Sequence, residues 1–334
     1  MNFCILGSGS WGTAMALHLA RFGHPVSLVT RRMEHALQLA SERENRDYLP
    51  GIRLHEDVQV GCELKPALME AEVLFLACPS QWLRVQCEGV RAALSSARRL
   101  RLIVSLCKGL ERVTLLSPTS VIHEVLPDCW YGVLSGPTFA GEVARAKPTA
   151  IVFASNGDVA FNAEVQIALS NEALRVYTSD DVKGVELGGA LKNVYAIAVG
   201  MCDGLQLGDN AKASLITRAL LEMKVLGSVL GGCPETFYGL SGLGDLTATC
   251  NGASSRNRML GQRLAEGSNP EMLVDSGELM AEGYWAAESF YKLCRQRDLT
   301  PAILMEVYAV LYEGKSPQAG LYSLMNRELK AEKG

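Results

Sequence analysis

The sequence contains no run of about 18 uncharged apolar residues, the length that a membrane-spanning helix needs, so we expect no membrane span. It also has no excess of positive charge, because 32 Lys and Arg residues stand against 36 Asp and Glu residues, a formal net charge of −4. This balance gives no reason to expect a nucleic-acid partner. We expect no signal peptide either, because the first predicted strand begins at Asn2.

The ten cysteines include no Cys-x-x-Cys pair, and we predict no metal site. Several of them, such as Cys78, Cys107 and Cys202, lie in apolar segments, where cysteine behaves as a small hydrophobic residue. The pattern therefore favours reduced thiols in a cytoplasmic protein. A chain of 334 residues that is 48% hydrophobic and 20% charged is typical of a globular protein with one large domain or two ordinary ones.

A glycine-rich turn follows the first predicted strand. The strand of residues 2–6 is followed by a Gly-x-Gly-x-x-Gly motif at 7–12, a predicted helix at 13–22 and a second strand at 26–30. In this context the motif predicts dinucleotide binding, because the N-terminus of the helix offers N–H groups to a pyrophosphate. A tight turn without a ligand remains the alternative. The three glycines of the motif are Gly7, Gly9 and Gly12.

Further apolar segments predict more buried strands, at residues 73–78, 102–106, 131–134 and 149–154. Continuous apolar strands are typical of a parallel sheet that is covered by helices on both faces. Ligands of such sheets bind at the carboxyl ends of the strands, and Lys108 and Thr138 follow two of these segments. We therefore predict an α/β N-terminal half with a doubly wound, mostly parallel sheet of Rossmann type.

After Asp180 the strand pattern stops and long helical segments take its place. They cover residues 181–201, 210–230, 254–266, 283–297 and 303–312. We predict a dinucleotide-binding domain at residues 1–180 and an all-α, substrate-binding and catalytic domain at residues 181–334. We expect the active site between them, because ligand sites favour domain interfaces.

The choice between NAD and NADP depends on the end of the second strand. NAD sites usually place an acidic residue there to bind the ribose hydroxyls, but this chain has Arg31 and Arg32. Two guanidinium groups suit a 2′-phosphate, so we expect NADP to be accepted. The alternative is a pair of solvent-exposed arginines with no role in binding.

Lys192 lies in the middle of an apolar, Gly- and Ala-rich helical segment at residues 186–200. Burial there disfavours the charged form of a lysine, which is one way to make it a proton donor or acceptor near neutral pH. The alternative is a lysine whose stem is packed while its ammonium reaches the surface.

Two polar segments lie further along the helical half. Asp245 stands among apolar neighbours where a glycine-punctuated turn enters a helix, so it could simply cap that helix. The next helix opens with Ser255, Arg256 and Asn257, and a helix N-terminus with these side chains suits a phosphate monoester. An ordinary Ser-capped surface helix is the alternative.

At this point the sequence resembles the family of bacterial NAD(P)-dependent glycerol-3-phosphate dehydrogenases. The match lies in four segments in the family's order, at residues 7–14, 135–140, 189–196, and 242–246 together with 255–257. Tyr195 stands where an aliphatic residue is commoner, and Thr138 where serine is also common. Residues 279–283 are similar to the family's Val-Glu-Gly cofactor contact but depart from it at Ala281.

The resemblance implies reversible hydride transfer between NAD(P)H and dihydroxyacetone phosphate, which gives sn-glycerol 3-phosphate for phospholipid synthesis. Lys192 would protonate the carbonyl oxygen, and Lys108 would add positive potential at the developing oxyanion. The groups that would hold and tune the Lys192 ammonium are Asp245, Asn193 and Thr249. The family also implies a cytoplasmic homodimer.

The resemblance further implies two sets of binding residues. The substrate would contact Lys108, Gly136, Thr138, Lys192, Asp245, Ser255, Arg256 and Asn257. The cofactor, NAD or NADP, would contact Gly7, Gly9, Ser10, Trp11, Gly12, Arg31, Arg32, Lys108, Ala140, Arg256, Met280 and Glu282.

Two other functions fit the predicted architecture. A hydroxyacid or ketopantoate-type reductase would act on a carboxylate in place of a phosphate ester, and the helix start at Ser255 argues against it. A non-enzymatic redox sensor would bind the dinucleotide alone, and it would need neither a proton donor nor a phosphate site.

Overall fold

The N-terminal half of the computed structural model, which describes residues 1–275, 279–329 and 331–332, is built on one eight-stranded sheet. The strands are β1 (Phe3–Leu6), β2 (Val26–Val29), β3 (Val58–Gly61), β4 (Val73–Leu76), β5 (Leu102–Ser105), β6 (Trp130–Ser135), β7 (Thr149–Ser155) and β8 (Leu174–Ser179). Their order is β3-β2-β1-β4-β5-β6-β7-β8, and every pair is parallel except β6 with β7. The prediction of a doubly wound, mostly parallel sheet is confirmed.

Seven helices accompany the sheet in the described part of this half. They are α1 (Ser10–Arg21), α2 (Met33–Glu42), α3 (Leu64–Met69), α4 (Leu83–Ala93), α5 (Pro118–Val125), α6 (Ala140–Ala144) and α7 (Val159–Leu169). Apolar side chains of α1 and α7 form one core with the sheet, and those of α4 and α5 form another. Strands β1, β4 and β5 are buried at every position, which explains why their sequences are continuously apolar.

Two strands, β3 and β8, were not predicted from the sequence. They are the two edges of the sheet, and each carries polar or exposed residues among its apolar ones. Continuous apolar runs identify central strands and not edge strands, so the pattern was too weak there. The first helix also begins at Ser10 and not at residue 13, because the glycine motif itself forms its first turn.

The C-terminal half consists of helices joined by loops, and its described residues form no strand after β8. Its helices are α8 (Val182–Gly204), α9 (Asp209–Val229), α10 (Asp245–Asn251), α11 (Arg256–Ala265), α12 (Pro270–Asp275), α13 (Glu282–Gln296), α14 (Ala302–Tyr312) and α15 (Pro317–Met325). The all-α prediction for this half is confirmed. The assignment of residues 1–180 and 181–334 to two separate domains stays a prediction.

The central helix α8 is buried at every position from Gly184 to Cys202 and packs against its neighbours on all sides. Its approach to α11 is very close: a Cβ atom at Gly200 would lie 2.0 Å from the Arg258 carbonyl oxygen. On the facing helix, a Cβ atom at Gly261 would lie 2.0 Å from the Ile197 carbonyl oxygen. The two glycines therefore let α8 and α11 touch backbone to backbone.

No helix among the described residues is both long enough and apolar enough to cross a bilayer.

Candidate active site

Lys192 lies inside the protein, with 7% of its surface exposed. Its ammonium Nζ donates to Asp245 Oδ1 at 2.6 Å and to Thr249 Oγ1 at 2.6 Å. The Thr249 hydroxyl in turn donates to the Asp245 main-chain carbonyl one helical turn earlier, at 2.7 Å, which leaves its lone pairs to the ammonium. This geometry does not fit a lysine that reaches out to the surface, which was the alternative prediction for this residue.

The surroundings of Lys192 change its proton affinity. The pKa of Lys192 is lowered from 10.5 to about 8, and the largest cause is burial, which disfavours the charged ammonium. The Asp245 carboxylate opposes this decrease, while the neighbouring Lys108 ammonium adds to it. An ammonium with this pKa is mostly protonated at neutral pH and can still release its proton readily, as a general acid–base group must.

Asp245 is the centre of a triad of charges. Its carboxylate, 2% exposed, accepts from Lys192 through Oδ1 and from Lys108 through Oδ2, the latter at 2.6 Å. Burial by itself raises the pKa of this carboxyl, but the two ammonium groups outweigh it and hold the pKa below its usual value. Two ammonium groups share one carboxylate, so the triad keeps a net positive charge.

Lys108 belongs to the loop that follows β5, at the carboxyl edge of the sheet. Besides Asp245, its ammonium donates to the Gly136 carbonyl oxygen at 3.2 Å, and the Thr138 hydroxyl donates to the same oxygen at 3.1 Å. Gly136 has a φ of +152°, a conformation that favours glycine. The predicted residues at this edge therefore lie together around one carbonyl group.

The start of α11 brings together the three residues predicted for the substrate phosphate. The Ser255 hydroxyl caps the helix and accepts from the Arg258 N–H at 3.3 Å, as the alternative of a Ser-capped helix expects. The Arg256 side chain is exposed and makes no hydrogen bond or ion pair with the described residues. Asn257 is buried, and both ends of its amide are bonded within the protein. The guanidinium of Arg256 is thus the group that a ligand can reach.

Asn193 does not bond the Lys192 ammonium. Its side-chain N–H donates to the Lys108 main-chain carbonyl at 2.9 Å, and its side-chain oxygen accepts from Asn257 at 2.8 Å. It therefore contacts the loop that carries Lys108 and the helix that carries Arg256.

The glycine motif has the shape that a pyrophosphate requires. Gly7 has a φ of +119°, and a Cβ atom at Gly12 would lie 2.0 Å from the Gly7 carbonyl oxygen, so both positions need glycine. A Cβ atom at Gly9 would meet no atom of the described residues within 4 Å, which means that they leave the space above it open. In the part of the chain that the structure describes, no side chain caps α1, so the first N–H groups of this helix are available to a ligand in that space. These residues fit a dinucleotide.

Two more residues of the motif were predicted to contact the cofactor. The Ser10 hydroxyl donates to the Tyr48 carbonyl oxygen at 2.6 Å. The indole N–H of Trp11 is buried and has no partner among the described residues. A buried donor without a partner is costly, so this N–H suits a ligand atom.

The two arginines after β2 point to different partners. The Arg31 guanidinium lies 5.6 Å from the centre of the Trp82 ring, and Arg32 pairs weakly with Asp47 at 3.9 Å. Both arginines are exposed and accessible to an anion.

The remaining cofactor predictions lie at two helix starts. Ala140 is the first residue of α6 and is half-buried. Met280 is exposed, and Glu282 is half-buried at the start of α13. Burial raises the pKa of Glu282, and the charges of Arg256, Lys108 and Lys192 oppose this increase.

Sequence reasoning missed the support of the glycine motif. The Asn45 side chain donates to the Ser8 carbonyl and to the Thr13 hydroxyl, both at 2.8 Å, and His35 contacts Ser8 and Asn45 at 3.3 Å. Asn45 follows α2 in a segment without periodic pattern, so nothing local predicted this contact. Sequence reasoning also missed the contact of Trp82 with Arg31. An aromatic residue in the segment between β4 and α4 is the signal that could have indicated it.

A doubly wound sheet with an open glycine turn, facing a buried lysine–carboxylate pair in a helical half, defines a nicotinamide-nucleotide-dependent oxidoreductase. Residues 2–160 match the family model of the N-terminal part of NAD-dependent glycerol-3-phosphate dehydrogenase, and residues 181–322 match that of its C-terminal part. The chain belongs to this family.

Individual relatives agree with this assignment. The glycerol-3-phosphate dehydrogenase (NAD(P)+) of Nitrosomonas eutropha is 42% identical, with 99% of each chain covered. That of Geobacter sulfurreducens is 43% identical, with 98% of each covered. The crystal structure of glycerol-3-phosphate dehydrogenase from Coxiella burnetii superposes with a TM-score of 0.91 at 36% identity, covering 98% of this chain and 99% of that one.

The alternative reductase is a more distant neighbour. A ketopantoate reductase structure from Ralstonia eutropha reaches a TM-score of 0.59 at 16% identity, covering 96% of this chain and 100% of that one. A likeness of this size concerns the fold alone, so the ketopantoate-type alternative is not favoured.

Proposed function

We propose that this protein reduces dihydroxyacetone phosphate reversibly to sn-glycerol 3-phosphate, with NADH or NADPH as the second substrate. The observation that carries the proposal is the buried Lys192 ammonium, which shares the Asp245 carboxylate with Lys108. A proton donor with a lowered pKa beside a second positive charge is what reduction of a carbonyl group requires. Membership of the glycerol-3-phosphate dehydrogenase family supports the choice of substrate.

The bound nicotinamide cofactor supplies the hydride in reduction and receives it in oxidation. In our proposal, Lys192 Nζ gives a proton to the carbonyl oxygen during reduction and takes it back during oxidation. Asp245 and Thr249 hold Nζ in one orientation through two 2.6 Å contacts, so little reorganisation is needed at the moment of proton transfer. Lys108 stabilises the negative charge that develops on the same oxygen.

The phosphate group would bind at the start of α11. Arg256 offers a planar, always-charged guanidinium, and the first N–H groups of this ten-residue helix add a positive potential. Ser255, Gly136 and Thr138 would complete the substrate site. Asn257 would take part in it through its main-chain N–H in the first turn of α11, because its side-chain amide is bonded within the protein. Unphosphorylated dihydroxyacetone has no anionic group and would leave the Arg256 charge without a partner.

The cofactor would lie along the carboxyl edge of the sheet, with its pyrophosphate at the glycine motif and its adenosine toward Arg31 and Arg32. A 2′-phosphate would meet these two exposed guanidinium groups, so we propose that NADP is used at least as well as NAD. The residues proposed for the nicotinamide side are Ala140, Met280 and Glu282.

We further propose that the protein is a cytoplasmic homodimer whose product serves phospholipid synthesis. An apolar groove of about 1950 Å³ runs between α9, α14 and α15, and Leu207, Val225 and Val229 on its rim are exposed. Exposed apolar surface of this kind is typical of subunit contacts. Light scattering of the purified protein should give twice the chain mass of 36.1 kDa; a value of one chain mass would contradict the dimer.

The proposed reaction can be tested by following NADPH oxidation with dihydroxyacetone phosphate. Unphosphorylated dihydroxyacetone and ketopantoate serve as controls for the phosphate and for the alternative reductase. We expect rapid oxidation only with the phosphorylated substrate. Binding of NADPH without turnover of any of the three would instead support the redox sensor.

A further inference from the structure

Three hydrogen bonds in line connect four separate elements beside the catalytic lysine. The Gly283 N–H donates to Asn257 Oδ1 at 2.8 Å, Asn257 Nδ2 donates to Asn193 Oδ1 at 2.8 Å, and Asn193 Nδ2 donates to the Lys108 carbonyl oxygen at 2.9 Å. We call this series the amide relay. It runs from the start of α13 through α11 and α8 to the loop after β5.

The direction of the amide relay is fixed at both of its ends. The Gly283 main-chain N–H can only donate, and the Lys108 carbonyl can only accept. Asn193 and Asn257, both more than nine-tenths buried, therefore each have one allowed amide orientation. If either side-chain amide were rotated by 180°, buried polar groups would lose their hydrogen-bond partners, which is costly in free energy.

The relay is also tightly packed at Gly283. A Cβ atom there would lie 2.5 Å from the Asn193 carbonyl oxygen and 2.8 Å from Asn257 Oδ1. The start of α13 therefore touches α8 and α11 directly, and none of the three can shift alone without breaking these contacts.

Each member of the relay is next to a residue proposed for the site. Asn193 follows Lys192, Asn257 follows Arg256, Gly283 follows Glu282, and Lys108 is itself a member. The relay thus connects the residue after Arg256, which is proposed to bind the phosphate, with the residue after Lys192 and with the main chain of Lys108. The side chain of Asn257 is fully used within it.

We propose that Asn193 and Asn257 are positioning residues that fix the span between Arg256 and the Lys108–Lys192 ammonium pair. This inference rests on the proposed function. A fixed span selects substrates by the number of atoms between carbonyl carbon and phosphate. In dihydroxyacetone phosphate one methylene group and one oxygen atom separate them, so the relay makes the protein specific for this short separation.

The test compares dihydroxyacetone phosphate with 4-hydroxy-3-oxobutyl phosphate, which has one more methylene group between carbonyl and phosphate. The specificity ratio is the quotient of the two kcat/KM values. It is measured in the parent protein, in Asn193→Leu, in Asn257→Leu and in the double variant. Leucine is close to asparagine in size and cannot hydrogen bond, so it breaks the relay without adding charge.

We expect each single variant to lose about 10- to 100-fold in kcat/KM for dihydroxyacetone phosphate, because a small misplacement of reacting groups has effects of this size. The longer substrate should lose much less, so the specificity ratio should fall about tenfold. The double variant should be little worse than either single one, because both break the same unit.

The matched control is Asn251→Leu. Asn251 is exposed on α10, and among the described residues its side chain bonds only to the Thr247 carbonyl of its own helix, so its replacement should leave the ratio unchanged. Binding of NADPH, followed by fluorescence, reports whether each variant is folded. Where a Leu variant fails to bind, the smaller replacements Asn193→Ser and Asn257→Ser take its place.

Two results would overturn the relay: equal losses for both substrates, which indicate a purely structural role, or losses that multiply in the double variant. If the parent protein reduced neither of the two phosphorylated substrates, the proposed function itself would be refuted. Failure of the relay and failure of the proposed function therefore give different results.

Discussion

The Asp245 carboxylate and the Lys192 ammonium form a 2.6 Å ion pair within the protein, with at most 7% of either residue exposed. Removing one partner of a buried pair leaves the other charge uncompensated, which is strongly unfavourable. The Asp245 charge therefore helps to set the pKa of the proposed proton donor Lys192. Replacing either residue should change activity in a way that depends on pH.

Lys192→Ala removes the proposed proton donor. We expect turnover with dihydroxyacetone phosphate to fall about 10²- to 10⁴-fold, the usual contribution of a general acid. NADPH binding, measured by fluorescence, should persist because the glycine motif is unchanged. Lys65→Ala, at an exposed position of α3, is the control; near-normal turnover in Lys192→Ala would remove Lys192 from the mechanism.

Asp245→Asn keeps the shape of the side chain and removes its charge. Because the carboxylate raises the pKa of Lys192, its loss should bring that pKa below about 8. The reduction needs a protonated lysine, so the parent rate should fall as pH rises through about 8, and the variant rate should fall at lower pH. Profiles of kcat against pH for both proteins check this. If kcat decreased at the same pH in both, the decrease would be due to the titration of a group other than Lys192.

Arg256→Ala removes the exposed guanidinium at the start of α11. Loss of a charge-assisted contact costs about 1.5–3 kcal/mol, so kcat/KM for dihydroxyacetone phosphate should fall roughly 10- to 100-fold. Arg263→Ala on the same helix is the control, because that side chain is exposed near Glu266. NADPH affinity should be measured in both variants, since Arg256 is also proposed to contact the cofactor. An equal kcat/KM for dihydroxyacetone phosphate in Arg256→Ala and in the parent would mean that the substrate phosphate binds elsewhere.

Replacing both Arg31 and Arg32 by alanine tests the choice of cofactor. The double variant should bind NADPH more weakly and NADH almost as before, because only NADPH carries the 2′-phosphate. The advantage of NADPH in the parent should shrink as salt rises, since exposed charge pairs are screened. Titration of both cofactors decides the question, with Arg91→Ala on the exposed face of α4 as the control. An equal loss for both cofactors would assign the arginines to the fold or to the adenine ring.

The close contact of α8 with α11 predicts a stability effect. Gly200→Ala should lower the free energy of unfolding by about 1–3 kcal/mol, because its Cβ atom would collide with the Arg258 carbonyl oxygen. Gly89→Ala is the matched control: it lies on the exposed side of α4, where the nearest neighbour is 3.9 Å away, and should stabilise by about 0.5–1 kcal/mol. Urea unfolding measures both; no loss in Gly200→Ala would mean that the helices can separate freely.

Features that depend on residues close together in the sequence could be predicted from it. The turn after β1 and the burial of Lys192 follow from local patterns of glycine and apolar residues. Contacts between distant residues could not be predicted, since no local pattern encodes them. Asn193 illustrates this limit. The family resemblance implied a partner of the Lys192 ammonium, whereas the amide of Asn193 bonds to the Lys108 main-chain carbonyl and to Asn257.

The reversed pairing of β7 on β6 has a practical consequence. Because β7 runs against its neighbour, the turn of residues 156–158 lies beside Tyr131 at the amino end of β6, while Gly136 follows the carboxyl end. A six-residue strand is roughly 20 Å long, so this turn is far from the chemistry. Val159 is 84% exposed just after the turn, so the thiol of a Val159→Cys variant would hold a dye or a surface tether far from the proposed active site.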